Sequence, residues 1–366
     1  MEHDEGQKHR SVQSGVVCAR CSQFASGARG AGARPGWLSL CVSAASESAV
    51  TRLVGSLHAG WWAPSQHGAS QELREEIAVR LEVDPDCVVL TKSCTAALYA
   101  AANVLPAFVP SAPVLTFPGT HTALNPDDPR FVECGDDGWP LKPVSIGVDL
   151  WGRDFLNVKD CRILDAAHNF LSPRHRLFLC ELDRAVCYSF GPQKELSAPL
   201  GGAAVFGSSF LAAKASRMLS AGAENRGPVS DSDPTLRLRA QKGLMPEPIA
   251  AFLLGQLECL QSRQRVRKDV LRYYSKTLNL RVKLYTTPNE ASGHLCVVRV
   301  PACAEARIRL ALRDARIETS KHYRVSENFL LTYPATKGLI SLPCHHAMEP
   351  RDVEEVVSII QAEMEK

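Results

Sequence analysis

Short apolar runs of strand length recur along this chain, separated by charged and Gly/Pro-rich stretches. The densest set is Cys161–Leu164, Ala185–Phe190 and Ala203–Phe206. Continuous apolarity, rather than alternation, predicts strands buried on both faces. Cys87–Leu90 and Ala112–Phe117 predict further strands, and Arg281–Leu284 and His294–Val300 predict strands of a later unit. Helical spacing marks Ser70–Leu81 (apolar at Leu73, Ile77, Val79 and Leu81), a segment from Ala96, Phe210–Leu219, Ala302–Ala315 and Asp352–Ala362. Ile249–Leu278 reads as one long helix that begins apolar and then turns basic. Its run of Arg263, Arg265, Arg267, Lys268 and Arg272 reads as a solvated helix face. Strands interleaved with helices define an α/β protein.

The candidate chemistry sits at strand ends. Asp165 closes the first run of the dense set, and Ser189 and Lys194 stand at and just after the end of the second. Ligands of open α/β sheets bind beyond the carboxyl ends of the strands. An amine, a hydroxyl and a carboxylate there suit pyridoxal phosphate (PLP): the lysine forms a Schiff base with the aldehyde, and the acid keeps the pyridine nitrogen protonated. Taken singly, an Asp at a strand end is more often a cap or turn former and a lone Lys is usually solvated, so it is the ordered set that points to this chemistry. Thr91–Thr95 form a turn into a helix, whose free N–H groups and positive dipole end suit a phosphate. Ser93 and Thr95 would add hydroxyls there, although simple N-capping accounts for them as well.

Several ordered segments resemble the DegT/DnrJ/StrS family of sugar aminotransferases. These are Ile163-Leu-Asp-Ala-Ala-His168, Tyr188-Ser-Phe-Gly-Pro-Gln-Lys194, the Gly201-Gly202 strand start, and Val89-Leu-Thr-Lys-Ser-Cys-Thr-Ala-Ala-Leu98. Pro246–Glu258 resembles that family's interdomain helix and Ser341-Leu-Pro its late motif, so the similarity runs from about Gly60 to the C-terminus. The resemblance implies PLP fold type I, aspartate aminotransferase-like: a large domain with a mostly parallel seven-stranded sheet over 51–248, and a smaller C-terminal α/β domain over 249–366. It implies Lys194 as the Schiff-base lysine, Asp165 on the pyridine nitrogen, His168 on the phenolic oxygen, and Ser93, Cys94, Thr95 and Ser189 around the phosphate. His121 would stack on the ring. Cys94 stands where the family has Gly, Leu200 where it usually has Glu, and Asp149 where a strand-end His is usual. The implied reaction is transamination from an amino acid, glutamate foremost, to a nucleotide-linked keto-sugar, in a homodimer with sites at the interface. Other PLP chemistry on a non-sugar substrate, or a degenerate PLP-binding regulator, is the competing reading.

Composition changes this picture little. The chain has 366 residues, 45% hydrophobic and 22% charged, enough for one large and one smaller core. A net charge of +3 implies no nucleic-acid surface, and no apolar run approaches the roughly 20 residues of a membrane helix. Thirteen cysteines without a repeating framework predict a reducing compartment, the cytoplasm by default. Residues 1–50 match nothing in the family and, being rich in Gly, Ser, Ala and Arg, are expected to form a flexible extension dispensable for cofactor binding. Cys18 and Cys21 have the spacing of half a zinc site, but no second pair follows, so no metal is expected.

Overall fold

The computed structural model describes residues 36–64, 68–105, 146–154, 161–220, 241–278, 281–289, 291–322 and 337–366. The strands among them are β1 (Val88–Thr91), β2 (Ile146–Val148), β3 (Ile163–Asp165), β4 (Ala185–Ser189), β5 (Gly202–Phe206), β6 (Lys283–Leu284), β7 (Cys296–Arg299) and β8 (Leu339–Leu342). The helices are α1 (Glu47–His58), α2 (Ala69–Leu81), α3 (Cys94–Val104), α4 (Pro173–Phe178), α5 (Ser209–Leu219), α6 (Glu247–Leu257), α7 (Leu260–Thr277), α8 (Ala302–Asp314) and α9 (Pro350–Glu365).

The larger sheet has the order β1-β5-β4-β3-β2. β2, β3 and β4 pair in parallel, while β5 is antiparallel to both β4 and β1. β1 therefore runs with β2, β3 and β4, and the sheet is mainly parallel with one reversed strand. Five of the seven expected strands are described; the predicted strand at Ala112–Phe117 lies outside the described residues.

Both faces of this sheet are covered, which is why its strands are apolar throughout. Val88, Leu90, Leu164, Val186, Tyr188 and Val205 point into one core with α2 and α6. Their neighbours Val89, Ile163, Cys187, Ala204 and Phe206 point into another with α3 and α5. Each of the Val, Leu, Ile and Phe side chains among them, when fully buried, contributes about 1.5–3 kcal/mol.

The second sheet, β6-β7-β8, is antiparallel and packs against α7, α8 and α9 over a separate core that includes Leu271, Tyr274, Ile308, Ile340 and Val356. The long helix expected over Ile249–Leu278 is two helices. α6 ends at Leu257, with Glu258 as its C-cap, and α7 starts after Cys259. α6 is buried on nearly every side, whereas α7 is amphipathic.

Residues 36–50 do not hang free. Leu38 is fully buried and exchanges backbone hydrogen bonds with Arg316 (2.8 Å) and Glu318 (2.9 Å). Ser43 donates to the Pro192 carbonyl, and the Gln256 amide joins Ala44 O (2.9 Å) and Ser46 N (3.0 Å). Ser46 then caps α1 through its hydroxyl, which accepts from Ala49 N at 3.1 Å. The boundary expected between residues 50 and 51 falls inside α1, and the one at 248 falls inside α6.

Candidate functional site

Since β1, β3 and β4 run the same way, their carboxyl ends, Thr91, Asp165 and Ser189, share one edge of the sheet. β5 runs against them, so its first residue, Gly202, lies on that edge opposite Thr91 on one side and Ser189 on the other. A Cβ on Gly202 would stand 2.5 Å from the Ser93 carbonyl carbon, 2.6 Å from Cys94 N and 2.7 Å from Tyr188 O. Only glycine lets the start of α3 close onto β4 here, and this brings Ser93 and Ser189 to opposite flanks of one residue.

Ser93 is the N-cap of α3, its hydroxyl accepting from Ala96 N at 3.1 Å. The capping reading is therefore realised, and the hydroxyl hydrogen is left to donate. Thr95 is exposed one residue into the helix, and Ser189 is half-buried, its hydroxyl accepting from Gly191 N at 3.4 Å. Cys94 is buried, with its thiol 3.8 Å from Asp165 Oδ1.

Asp165 is buried, and its Oδ1 also accepts from Ala167 N at 3.0 Å. Burial pushes its carboxyl above the usual range, opposed by the Ala167 N–H and by the charge of Lys194. Lys194 is half-buried in the tight turn after β4, where its N–H meets Gly191 O at 3.0 Å. Burial lowers its ammonium pKa, while Cys94, Asp165, Cys41 and Glu195 act the other way. A lysine so placed gives up its proton more readily than a solvated one, as a nucleophile or general base needs.

His168 follows on the same loop, buried and held neutral by burial and by the Lys194 charge. Its ring lies 4.9 Å from His294 and 6.4 Å from His322, both beyond α7 in the chain. His322 bonds Ser341 Oγ at 2.8 Å, and burial beside Lys194 pushes it down to about 4. Sequence reading did not single out His294 for the site. Its position just before the apolar strand run made it look like a strand-end residue.

The two parts of the chain are stitched together at Gly152. Ser292 N donates to Gly152 O at 2.8 Å and Ser292 Oγ to His168 O at 3.1 Å. A Cβ at Gly152 would stand 2.5 Å from Ser292 Oγ, and its φ of +84° also favours glycine. Asp149 serves behind this contact. Its N–H donates to Asp165 O (2.9 Å), and its carboxylate meets His175 Nε2 (2.7 Å) and Asn169 Nδ2 (2.8 Å). His175 joins in turn the Tyr188 hydroxyl at 2.8 Å. The wholly buried His175 escaped the sequence reading, although Ser172-Pro173 is an N-cap and N1 pair that announces its short helix.

Of the expected residues, Ser93, Cys94, Thr95, Asp165, His168, Ser189 and Lys194 come from the loops at this one edge, and His121 lies outside the described residues. An exposed helix start with hydroxyls, a buried carboxylate and a lysine of lowered basicity match a phosphate, a ring nitrogen and an aldehyde. The donor set fits PLP.

Fold and site together define a fold type I, PLP-dependent enzyme. Residues 161–361 match the model of the DegT/DnrJ/EryC1/StrS aminotransferase family, and the chain belongs to that family. It is a PLP-dependent aminotransferase, and PLP is its cofactor. Among solved structures it is similar to TlmJ from Streptoalloteichus hindustanus, an aminotransferase, with 18% identity over 90% of this chain and 99% of that one, TM-score 0.72. PseC from Helicobacter pylori, an aminotransferase of pseudoaminic acid biosynthesis, shares 17% identity over 89% and 98%, TM-score 0.74. Spr1654 from Streptococcus pneumoniae, a proposed sugar aminotransferase in its PLP form, shares 18% over 89% and 98%, TM-score 0.70. At these identities the likeness establishes the fold. No curated protein sequence matches the chain.

Proposed function

We propose that this aminotransferase takes the amino group of an amino acid, glutamate foremost, and delivers it to a nucleotide-linked keto-sugar, with Lys194 as the residue that bonds the cofactor. The observation that carries the reading is that the carboxyl of buried Asp165 and the amine of Lys194 share one edge of the sheet. They come from different loops, yet each alters the other's protonation at the sheet edge where α3 begins. PseC's part in pseudoaminic acid biosynthesis and the proposed role of Spr1654 support a sugar acceptor.

In this reading the start of α3, with the Ser93 and Thr95 hydroxyls and the Cys94 N–H, holds the phosphate, and Ser189 holds it from β4. Asp165 faces the ring nitrogen, His168 donates to the phenolic oxygen, and His121 stacks on the ring. PLP, when bound, supplies the electron sink for cleavage of the substrate's Cα–H bond and carries the amino group between half-reactions. Lys194, once displaced, moves the proton between the donor's Cα and the cofactor's C4′. Its lowered basicity suits both taking and returning it.

A PLP-binding domain and a small C-terminal domain follow, joined by α6 and α7 as the interdomain helices, with α6 packed on the larger sheet and residues 36–46 as a strap between the two. A cytoplasmic setting agrees with the described cysteines, all of which are free, and no described helix is long and apolar enough to cross a membrane. The homodimer has a candidate face on α1, argued in the Discussion.

Borohydride reduction of the PLP-treated protein followed by peptide mapping tests the assignment. The pyridoxyl group is expected on Lys194. Finding it on Lys92 or Lys242 instead, or on no lysine, removes the reading.

A further inference from the structure

Behind the edge that carries Asp165 and Lys194 lies a chain of polar groups sealed from solvent. Asp149 and His175 are each 1% exposed, and Tyr188 is completely buried. They stand on three elements: Asp149 just after β2, His175 in α4 and Tyr188 in β4. Polar groups this deep are costly unless their hydrogens find acceptors.

The bonds among them have a direction. His175 Nε2 meets Asp149 Oδ2 at 2.7 Å, and a carboxylate only accepts, so Nε2 carries the hydrogen. Burial and the Asp149 charge keep the Tyr188 phenol protonated. Its hydroxyl meets His175 Nδ1 at 2.8 Å and has no other partner among the described residues, so the phenol donates to a bare Nδ1. Asn169 adds a second donor to the same oxygen. Its Nδ2 reaches Asp149 Oδ2 at 2.8 Å and Asp154 Oδ1 at 2.9 Å. Only the N–H end of an amide serves two carboxylates, which fixes the way Asn169 points.

The donors thus converge on one carboxylate. Asp149 is also fastened through its backbone, its N–H donating to Asp165 O at 2.9 Å. Asn169 directly follows His168, and Tyr188 directly precedes Ser189. The family usually carries a histidine at position 149, and a neutral imidazole, with a single accepting nitrogen, could not take both donors.

We propose that Asp149 is a positioning residue for transamination: acting through His175 and Asn169, its carboxylate sets the places of Asp165, His168 and Ser189 without itself meeting the reacting atoms. This deepens the aminotransferase reading above and rests on Lys194 being the cofactor's lysine. Small displacements of such groups are expensive, since a shift of about 1 Å costs up to ~10²-fold in rate.

The test uses the full chain treated with PLP. Asp149→Asn keeps the shape and removes the charge. Its kcat is expected to fall by about 10- to 10²-fold with the KM for the amino donor little changed, and the visible band of the bound cofactor should shift. His175→Gln retains an N–H donor toward Asp149 and should keep most of the rate, whereas His175→Leu should lose as much as Asp149→Asn. Nitrogen NMR of the histidine-labelled, cofactor-free chain should show His175 with its hydrogen on Nε2, its signals identified by their absence from His175→Gln. A wild-type kcat and band in Asp149→Asn would overturn the proposal. So would a hydrogen on Nδ1, or a His175→Gln as impaired as His175→Leu, which would leave His175 a packing residue. Should Asp149→Asn fail to fold, the two His175 variants and the NMR decide. Peptide mapping of wild type separates this from failure of the underlying reading: no label on Lys194 removes that reading, while a labelled Lys194 with an unimpaired Asp149→Asn removes the positioning role alone.

Discussion

Asp165 is a carboxyl held in balance. Burial pushes it toward neutrality, while the Ala167 N–H, Lys194 and the Cys94 thiol favour its charge. A bound pyridinium would add the decisive opposite charge. Asp165→Asn keeps the shape and removes the charge. Cofactor retention should change little, whereas single-turnover conversion with saturating amino donor should slow by about 10²-fold, the scale of lost electrostatic stabilisation. A variant converting at the wild-type rate with chemistry limiting would make Asp165 a strand-end carboxylate and nothing more. Asp165, Ser189 and Lys194 were legible in the sequence because each follows a buried strand. His294, His175 and Arg267 were not. A histidine beside an apolar run looks like any strand-end residue, and a buried arginine is written in the same letters as a solvated one. The spacing of Leu260, Arg263, Arg267, Val270, Leu271 and Tyr274, all on one side of α7, was the signal that charge alone obscured.

At the scale of elements, the buried strands were readable because burial on both faces leaves continuous apolar runs. The break between α6 and α7 was not, because helical spacing continues across it. Nor was the strap at 36–46. Its segment is compositionally loose, and its buried groups, such as Leu38 and Val42, are single residues with no period. Yet the strap ties three elements. It pairs with Ile317 and Glu318 ahead of β8, meets Pro192 in the lysine turn, and is held by Gln256 of α6. A chain beginning at Thr51 loses these bonds, the Ser46 cap and the first turn of α1, and it leaves Gln256 without those partners. Loss of a cap alone costs about 1 kcal/mol, and exposing the Leu38 site a further ~2 kcal/mol. Urea denaturation of this shortened chain should show a midpoint well below wild type, with weakened PLP absorbance. A chain starting at Gly36 keeps all of these bonds and should be more stable than the one starting at Thr51. Equal stability of the two would restore the extension as dispensable.

At the scale of the whole molecule, α1 has two apolar sides. Its inner side packs on α6, where Ala49 joins the core. Its outer side shows Val50 (46% exposed), Val54 and Leu57 at successive helical turns, and the stripe runs on into Trp61 (57%) and Trp62 (66%). A contiguous exposed stripe ending in two tryptophans is unusual on a monomer and typical of an association surface. The family's expected homodimer supplies an occupant, a second copy meeting this face about a two-fold axis. Sedimentation equilibrium at micromolar concentration should give twice the 39.9 kDa chain mass. Buried tryptophans at such contacts typically carry about 2 kcal/mol each, so Trp61→Ser with Trp62→Ser should raise the dimer dissociation constant by about 10³-fold, and either change alone by ~30-fold. Both residues lie outside the sheet-edge site, so the variant should keep the far-UV spectrum of the folded chain while sedimenting lighter. A wild-type monomer, or a double variant that dimerises as tightly as wild type, would mean that this stripe is not the dimer face.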